Sequence, residues 1–407
     1  MIIGIDVDDD LPEIDQLQIK QARELADQVI APLAREISRP PNYLRVIHEA
    51  LAAAGLLRMP FPEKYGGTAT SMLGRVRVME ELCRVDTVAG SVISGTELGA
   101  MPLILGGTES LKSNILPELA MGTRQAAFAL TEHFAGTDVS AITTRAEPDG
   151  VTGWRITGNK HLITRASISD YFCVFAKTDW QAAGPRGISC FWVPANTKGI
   201  TISSPLNKMA WEESPVCDID LDHVIVEGKY LLGEVNKGYN IAFRTLNKVR
   251  LLIAASATGR AQCALELAVQ YARRRQSGGK PIGLHQGIRW LIADMATAVE
   301  ASRRLTYAAA LAEDGKKPEA PMGASMAKAY ATDTAMKVTT SAVQIFGGNG
   351  YLRENIVERL MRESKLGQIM EGTNEIHRDI VGRRLVKGDI SLENPLWTPE
   401  MEASAWL

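Results

Sequence analysis

The sequence predicts an α+β protein made of three consecutive regions: a helical domain over residues 1–125, a β-domain over 126–235 and a helical bundle over 236–407. Three observations carry this prediction. Apolar residues recur every three or four positions near the N-terminus, short β-rich segments fill the middle, and very long helical segments follow. Helical and strand regions that occupy separate parts of a chain are typical of the α+β class, because alternating βαβ units would interleave them.

The first region has the periodicity of amphipathic helices. Between residues 13 and 34, apolar positions recur at intervals of three and four: Leu17, Ile19, Leu25, Val29, Ile30 and Leu33. Glycines interrupt the pattern at 55, at 66 and 67, and at 106 and 107. Glycine at such breaks indicates helix ends and turns, so the region is predicted to hold several helices.

The second region has the composition of short strands. Its segments DYFCVFAKT, GISCFWVPA, GITISS and VCDIDLDHVIV are rich in β-branched and aromatic residues. Gly, Pro, Asn and Asp separate them, as is typical of turns between strands. Because no helical segment lies between these strands, the pattern predicts a β-barrel or a β-sandwich.

The third region returns to the helical period in long segments. Residues 240–275 run for more than 30 positions without a proline, and residues 286–313 and 322–346 are two further long candidates. Long helices joined by short breaks are typical of an up-and-down bundle.

Composition and charge exclude several classes of protein. The 407 residues are 45% hydrophobic and 23% charged, which indicates a globular chain, and the net charge of -2 gives no basic excess for binding nucleic acid. Five cysteines without a CxxC pair argue against a disulfide scaffold or a zinc site, and the six histidines show no pair at helical metal-ligand spacing, so no metal is expected. The acidic start and the lack of a long uncharged apolar run predict a cytoplasmic protein without a membrane segment.

Two segments in the middle of the chain have the chemistry of a binding site. Residues 127–139, AFALTEHFAGTDV, place hydroxyls, small residues and free backbone N–H groups in one loop, which suits a ligand rich in oxygen and ring nitrogen. Residues 156–166, ITGNKHLITRA, are predicted as a turn between strands that ends in Thr164. Taken singly, the first segment also fits a plain surface loop and the second an ordinary hairpin.

A third segment, residues 369–381 (IMEGTNEIHRDIV), contains a carboxylate next to a helix start. Glu371 and Gly372 precede Thr373, and either Thr373 or Asn374 can cap the helix that follows. On its own, such a carboxylate also fits a solvated cap.

Taken together and in this order, these segments resemble the acyl-CoA dehydrogenase family, and the resemblance covers nearly all of the chain. Similar segments in the N-terminal half are MPFPEKYGGT (59–68) and GTESLKSNILPELAMGTRQAAFALTE (107–132). In the middle and C-terminal parts they are ALTEHFAGTDV, GNKHLIT, YARRRQSGGKPIGLHQ (271–286), QIFGGNGY (344–351) and MEGTNEIHR (370–378).

The resemblance implies an N-terminal helical domain, a central β-domain and a C-terminal four-helix bundle, with FAD bound between the last two in a homotetramer or homodimer. The residues that it places at the flavin are Phe128, Leu130, Thr131, Gly136, Thr137, Leu162 and Thr164. Those that it places at the pyrophosphate and adenosine, partly across a subunit boundary, are Arg275, Gln286, Gln344 and Gly348, and Thr373 and Glu375 complete the FAD contacts.

The resemblance also assigns the catalytic base to Glu371. Removal of the α-proton of a thioester needs a positioned base, and burial raises the pKa of a glutamate towards the working pH. Some family members carry the base on an earlier helix beside an arginine, but here Val249 precedes Arg250 and cannot act as one. Arg250 is placed near the active site. The residues placed at the substrate are Ser94, Thr137, Asn247, Arg250 and Gly372, and Glu97 joins Ser94 at the floor of the acyl pocket.

Several positions depart from the family pattern, mainly near the substrate entrance. They are His133, Phe134, Leu162, Arg165, Asn247, Gly278 and Met370. The resemblance implies an acyl-thioester dehydrogenase, with CoA or a carrier protein bearing the acyl group and an electron-transferring flavoprotein as partner. The alternatives left open are an enoyl-thioester reductase, a flavin oxidase or monooxygenase of the same fold, and a non-catalytic binding homologue.

Overall fold

The computed structural model describes residues 8–36, 39–151 and 153–388. Helices dominate the first of three regions. The helices are α1 (Glu13–Leu25), α2 (Ala31–Ala34), α3 (Tyr43–Ala53), α4 (Met72–Cys83), α5 (Thr87–Gly106) and α6 (Glu109–Ala120). Ser71 and Thr108 cap α4 and α6, because their hydroxyls accept from the backbone N–H groups of Gly74 and Leu111.

Helix α5 is the one described helix that is long and apolar enough to cross a membrane. However, 72% of its most apolar window is buried inside the protein. Helix α5 packs against α3, α4 and α6, so its apolar surface belongs to the protein core.

The middle region forms an eight-stranded mixed sheet. Its strands are β1 (Ala126–Ala129), β2 (Arg145–Pro148), β3 (Gly153–Thr164), β4 (Tyr171–Lys177), β5 (Ile188–Pro194), β6 (Ile200–Ile202), β7 (Val216–Glu227) and β8 (Leu231–Leu232). The order is β6-β7-β3-β2-β4-β5-β8, and β1 pairs in parallel with β4. Within the described residues β6 and β8 do not pair with each other, so the sheet has two open edges and is not a closed barrel.

Strands β4 and β5 are buried on both faces. Phe175 and Trp192 pack in one cluster with residues of α5, α6 and the helix that follows the sheet, whereas Phe172 and Phe191 pack in a second cluster with β3 and β7. This two-sided burial explains why both strands are continuous apolar runs and do not alternate with polar residues.

The prediction of a hairpin over 156–166 is wrong. These residues belong mainly to one long strand, β3, which pairs with β7 on both sides of Gly158. The glycine does not form a turn. It has a φ of 150°, and a Cβ built on it would lie 2.6 Å from the Thr144 Cα, so only glycine allows this close approach of two strands.

The last region contains a small hairpin and five helices. These are β9 (Gln276–Ser277), β10 (Lys280–Pro281), α7 (Gly238–Arg274), α8 (Gln286–Asp314), α9 (Ala320–Phe346), α10 (Ile356–Gly367) and α11 (Asn374–Val386). Helix α9 packs against α7, α8, α10 and α11. One hydrophobic core runs from α1 through α5 into α7–α10, so the two helical regions share their interior. The α+β class with a central β-domain and a C-terminal bundle is confirmed, and the boundaries near 125 and 235 stay a prediction.

Candidate active site

The link between α10 and α11 holds the carboxylate at residue 371 in an unusual backbone conformation. Glu371 has a φ of 55° and Gly372 a φ of 96°. A side-chain-bearing residue in this left-handed region costs about 1–3 kcal/mol and persists only where the surroundings fix it. Thr373 then starts α11, and its hydroxyl accepts from the backbone N–H of Ile376 at 3.5 Å, which confirms the predicted cap.

Three basic side chains from other helices surround this turn. Arg250 of α7 donates from Nε to the backbone oxygen of Glu371 at 3.1 Å. Lys328 of α9 donates from Nζ to the backbone oxygen of Gly372 at 2.6 Å and to Asn374 Oδ1 at 3.0 Å. His377 of α11 is fully buried, and its ring lies against Gly372. The strained turn is therefore held from three helices.

The surroundings also shift the pKa values of Glu371, Lys328 and His377. Burial raises the pKa of Glu371 above its ordinary value, and the nearby charges of Arg250 and Lys328 oppose that rise. Burial, reinforced by Arg250, lowers the pKa of Lys328 to about 7, and burial together with both cations lowers that of His377 to about 3. A half-buried carboxylate with a raised pKa is the group in this cluster suited to accept a proton from a weak carbon acid.

Helix α7 connects this turn to the loop that follows β1. Arg250 donates from Nη1 to Asn247 Oδ1 at 2.8 Å, and its guanidinium lies 5.9 Å from the centre of the Phe243 ring. Phe243 in turn contacts Tyr239, with 4.3 Å between ring centres. Burial raises the pKa of Tyr239, Arg250 opposes the rise and Asp138 of the loop adds to it. The charges of both Arg250 and Asp138 therefore act on the Tyr239 hydroxyl.

A buried ion pair fixes the start of that loop. Lys160 of β3 has no exposed surface and donates from Nζ to Glu132 Oε1 at 2.8 Å and to the backbone oxygen of Leu130 at 3.0 Å. Glu132 also accepts from the backbone N–H groups of Thr143 and Thr144 at 2.6 and 3.0 Å. Burial alone would raise the pKa of Glu132, but Lys160 and these donors hold it at about 2. The loop is thus anchored by a carboxylate that stays ionised.

Most of the residues assigned to the flavin are at least partly exposed. Leu130 is buried and Phe128 and Thr131 are half-buried, while Thr137 and Thr164 are exposed. Leu162 is 53% exposed although it is a large apolar residue. Gly136 is exposed and a Cβ built on it meets nothing within 4 Å. Accessible apolar side chains, hydroxyls and backbone groups are the groups that suit a flat heteroaromatic ring.

The residues assigned to the pyrophosphate and adenosine meet at one end of the bundle. Arg275 directly follows α7 and Gln286 begins α8, while Gln344 lies in the last turn of α9 and Gly348 in the turn after it. The α7 and α9 ends touch, because Tyr271 stacks on Phe346 with 4.1 Å between ring centres.

This end of the bundle is open to a ligand. Arg275, Gln286, Gln344 and Gly348 are all exposed, and Glu375 is exposed at the start of α11. The Arg275 side chain makes no ion pair with any residue that the structure describes. A guanidinium without an ion pair to the described residues suits a diphosphate, and a Cβ built on Gly348 meets nothing within 4 Å, so the residues present fit FAD.

Comparison with known proteins identifies the family. The acyl-CoA dehydrogenase N-terminal, middle and C-terminal domain models match residues 12–123, 127–224 and 236–386. The chain belongs to the acyl-CoA dehydrogenase family. It is therefore an oxidoreductase of a flavin-dependent family.

Curated relatives and a solved structure agree with this assignment. The chain is 39% identical over 378 residues to a cyclohex-1-ene-1-carbonyl-CoA dehydrogenase from Geobacter metallireducens (92% of this chain, 99% of the relative). It is 37% identical over 370 residues to a 3-(aryl)acrylate reductase from Clostridium sporogenes (90% and 97%). The butyryl-CoA dehydrogenase structure from Megasphaera elsdenii superimposes with a TM-score of 0.88 at 37% identity, covering 92% of this chain and 99% of that one.

The residues predicted at and near the acyl pocket are held by contacts within the protein. Ser94 is buried, and its hydroxyl donates to the Gly90 carbonyl of its own helix. Glu97 is fully buried and pairs with Arg75 of α4. Arg165 is buried against α5, where it donates to the Ser91 and Val92 carbonyls, and burial lowers its pKa to about 10.

Sequence reasoning did not predict the buried residues that hold the 371–372 turn and the loop after β1 in place. Lys328, His377 and Lys160 were not singled out for any role, and Glu132 was considered only as a polar member of the 127–139 loop and not as the partner of Lys160. A lysine in the apolar face of α9 was the one available signal, since lysine is seldom fully buried without a partner.

Proposed function

We propose that this protein oxidises an acyl thioester, in the first instance an acyl-CoA, between Cα and Cβ, with Glu371 as the base that takes the α-proton. The observation that carries the proposal is the half-buried Glu371 carboxylate, held in a strained turn by Arg250 and Lys328, with a raised pKa. A base that must remove a proton from carbon at neutral pH needs both the fixed position and the raised pKa.

FAD is the cofactor that the proposal requires, and when bound it would accept the β-hydrogen as hydride at the flavin N5. The residues that would hold the flavin are Phe128, Leu130, Thr131, Gly136, Thr137, Leu162 and Thr164. Those that would hold the pyrophosphate and adenosine are Arg275, Gln286, Gln344, Gly348, Thr373 and Glu375. Supporting observations are the exposed apolar side chain of Leu162 and the exposed guanidinium of Arg275.

The protein's own side chains position and deprotonate the substrate. Glu371 receives the α-proton on its carboxylate. Its raised pKa reduces the difference between the pKa of this carboxyl and the pKa of the substrate's α-carbon, which is a weak acid. Arg250 fixes the turn and, through Nη1, the side chain of Asn247, which we place at the thioester's pantetheine arm. Thr137 and Gly372 flank the reacting carbons, and Ser94 with Glu97 lies at the floor of the acyl pocket.

The experiment that tests the proposal is anaerobic mixing of the FAD-loaded protein with a panel of acyl thioesters. The panel varies chain length, branching, ring content and CoA against carrier protein. Bleaching of the flavin by a saturated thioester, with formation of the α,β-enoyl product, supports dehydrogenation. Failure of every saturated thioester to bleach the flavin would contradict it.

Reduction of an enoyl thioester is the second candidate, because one relative at 37% identity is named an arylacrylate reductase. The same panel separates the two reactions. Two results would together favour the reductase. Enoyl thioesters would rapidly reoxidise the dithionite-reduced protein, and saturated thioesters would fail to reduce the flavin of the oxidised protein.

Replacement of Arg275 by Ala is expected to weaken FAD binding by about 2–3 kcal/mol, because a charge-assisted contact to phosphate is lost. This corresponds to a loss in affinity of roughly 30- to 150-fold. The protein should purify largely without flavin and regain its colour in excess FAD. Arg274→Ala, which removes another exposed arginine one residue earlier, is the matched control. Equal flavin affinity in both variants would refute the role of Arg275.

The proposal extends to partners and location. We infer that an electron-transferring flavoprotein reoxidises the flavin, that the protein works in the cytoplasm, and that it assembles as a homotetramer or homodimer in which Arg275 and Gln344 complete a neighbouring FAD site. The exposure of these two side chains in one chain supports the shared site. Sedimentation of the FAD-loaded protein tests it, and a monomer with full flavin content would contradict it.

A further inference from the structure

Two histidines and an aspartate that are far apart in the sequence lie together at the loop that follows β1. They are His133 of the loop after β1, His161 of β3 and Asp218 of β7. His161 Nδ1 lies 2.7 Å from Asp218 Oδ1, His133 Nε2 lies 3.7 Å from Asp218 Oδ2, and the two imidazole rings stack with 3.8 Å between their centres. One potential ligand atom from each residue lies within 4.8 Å of the others.

The backbone is built so that these three side chains face one another. A β-bulge between Lys160 and Ile163 interrupts the pairing of β3 with β7, and Leu162 in the bulge has a φ of 58°. A bulge redirects the side chains that it carries, and here His161 turns towards Asp218. The backbone N–H of His161 also donates to the Thr131 carbonyl at 2.9 Å, which holds the loop with His133 against the strand.

Further contacts fix the side chain and the backbone of Asp218. The backbone N–H of Leu162 donates to Asp218 Oδ1 at 3.3 Å, and the backbone N–H of Asp218 donates to the Ser203 hydroxyl at 2.9 Å. Supporting hydrogen bonds of this kind orient ligands in metal sites. The three side chains keep between 23% and 56% of their surface exposed, so an ion can reach them from solvent.

We propose that His133, His161 and Asp218 form a binding site for a borderline divalent cation of the zinc class, with water completing the coordination. Two imidazole nitrogens and one carboxylate oxygen suit Zn²⁺, whereas Mg²⁺ and Ca²⁺ prefer oxygen ligands alone. At tetrahedral angles, bonds of about 2.1 Å hold two ligand atoms about 3.4 Å apart. The ligand atoms of the cluster lie within 4.8 Å of one another, so the largely exposed His133 side chain must rotate to move its nitrogen by up to roughly 1.4 Å.

The site ties three elements together next to the surface assigned to the flavin. His133 lies two residues after Thr131, and His161 lies directly before Leu162. A bound ion would therefore fasten the loop to both β3 and β7 at the edge of that surface. This binding function is separate from the proposed dehydrogenation, because none of the three residues takes part in proton or hydride transfer.

The test is a zinc titration of the FAD-loaded protein after treatment with EDTA, read by competition with a chromophoric chelator and by metal analysis after gel filtration. We expect one Zn²⁺ per chain. His133→Ala and Asp218→Asn should each weaken binding by about ten-fold or more, since even the loss of a supporting contact commonly costs that much. His223→Ala is the matched control, because His223 is exposed and lies 2.6 Å from Asp222 without a second histidine.

The outcomes are decisive in both directions. Saturable binding that His133→Ala weakens and His223→Ala leaves unchanged supports the site. No saturable zinc binding by the unaltered protein, or affinities of His133→Ala and Asp218→Asn within two-fold of it, would overturn the proposal. His133 is exposed, so its substitution should leave folding intact, and retained flavin colour and an unchanged circular dichroism spectrum verify this.

Discussion

Glu371→Gln is expected to lower the rate of anaerobic flavin reduction by a saturated acyl thioester by at least about 10²- to 10⁴-fold, the usual contribution of a general base. Glutamine keeps the size of the side chain and its hydrogen-bonding capacity but cannot take the α-proton. The variant should still bind FAD and should still shift the flavin spectrum when a thioester binds, because no assigned binding contact is removed. Rapid-mixing absorbance at the flavin band measures the effect.

A matched control separates catalysis from helix capping. Asp379→Asn makes the same chemical change on α11, at an exposed carboxylate that pairs with Arg383, and should leave the reduction rate nearly unchanged. If Glu371 only capped the start of α11, its replacement would lower the free energy of unfolding by about 1 kcal/mol and leave the turnover rate nearly unchanged. Reduction of Glu371→Gln within ten-fold of the unaltered rate would refute the assignment.

The pH dependence of the same reaction follows from the pKa of Glu371. The base must be ionised to accept the proton, so the rate should fall as the pH falls through the pKa of this carboxyl. Burial raises that pKa, so the acid limb of the profile should lie above the ordinary pKa of a glutamate, about 4.3.

Glu132→Gln is expected to destabilise the protein by about 3–5 kcal/mol, because it leaves the buried Lys160 without its counter-charge. Lys160 has no exposed surface, and its remaining partner is the carbonyl of Leu130. Thermal melting followed by circular dichroism should show the loss. Glu147→Gln, at an exposed carboxylate on β2 of the same domain, should change stability by no more than about 0.5 kcal/mol.

A second variant attributes that loss to the unpaired charge. Adding Lys160→Met to Glu132→Gln removes the buried cation and should recover part of the stability. A double variant no more stable than Glu132→Gln would show that the cost lies in the hydrogen bonds to Thr143 and Thr144. The folded-state pKa of about 2 lies below the unfolded value of about 4.3, so Glu132 contributes stability above pH 4.3, and this contribution is lost as the pH falls towards 2.

The sequence predicted the parts of the fold that leave a periodic pattern. Helix α7 was visible as a long run without proline, and strands β4 and β5 as short apolar runs. The hairpin prediction over 156–166 failed because a glycine among polar residues is typical of a turn, whereas here the close approach of Thr144 requires it. A close approach between two strands depends on the tertiary fold and leaves no local pattern.

The residues of the candidate site also fall into those that a local sequence pattern reveals and those that depend on the tertiary fold. Glu371 and Thr373 sit in a compact motif, so the resemblance could assign them a role. Lys328 and Arg250 reach the turn from helices 43 and 121 residues earlier in the chain, and His133, His161 and Asp218 meet only after β3 and β7 pair. Periodicity and spacing describe neighbours along the chain, so contacts of this range could not be derived from them.

The left-handed backbone of Glu371 has an evolutionary consequence. Glycine or asparagine would relax the turn at this position, so mutation without selection should replace the glutamate readily and with little harm to the fold. Retention of a glutamate at this position would then indicate continued selection for catalytic turnover, because the left-handed backbone conformation favours glycine or asparagine. Among relatives that share this fold and, like this chain, carry no acidic residue before the arginine at position 250, loss of the acidic residue at this turn should be an early mark of a lineage that has changed its chemistry or abandoned it.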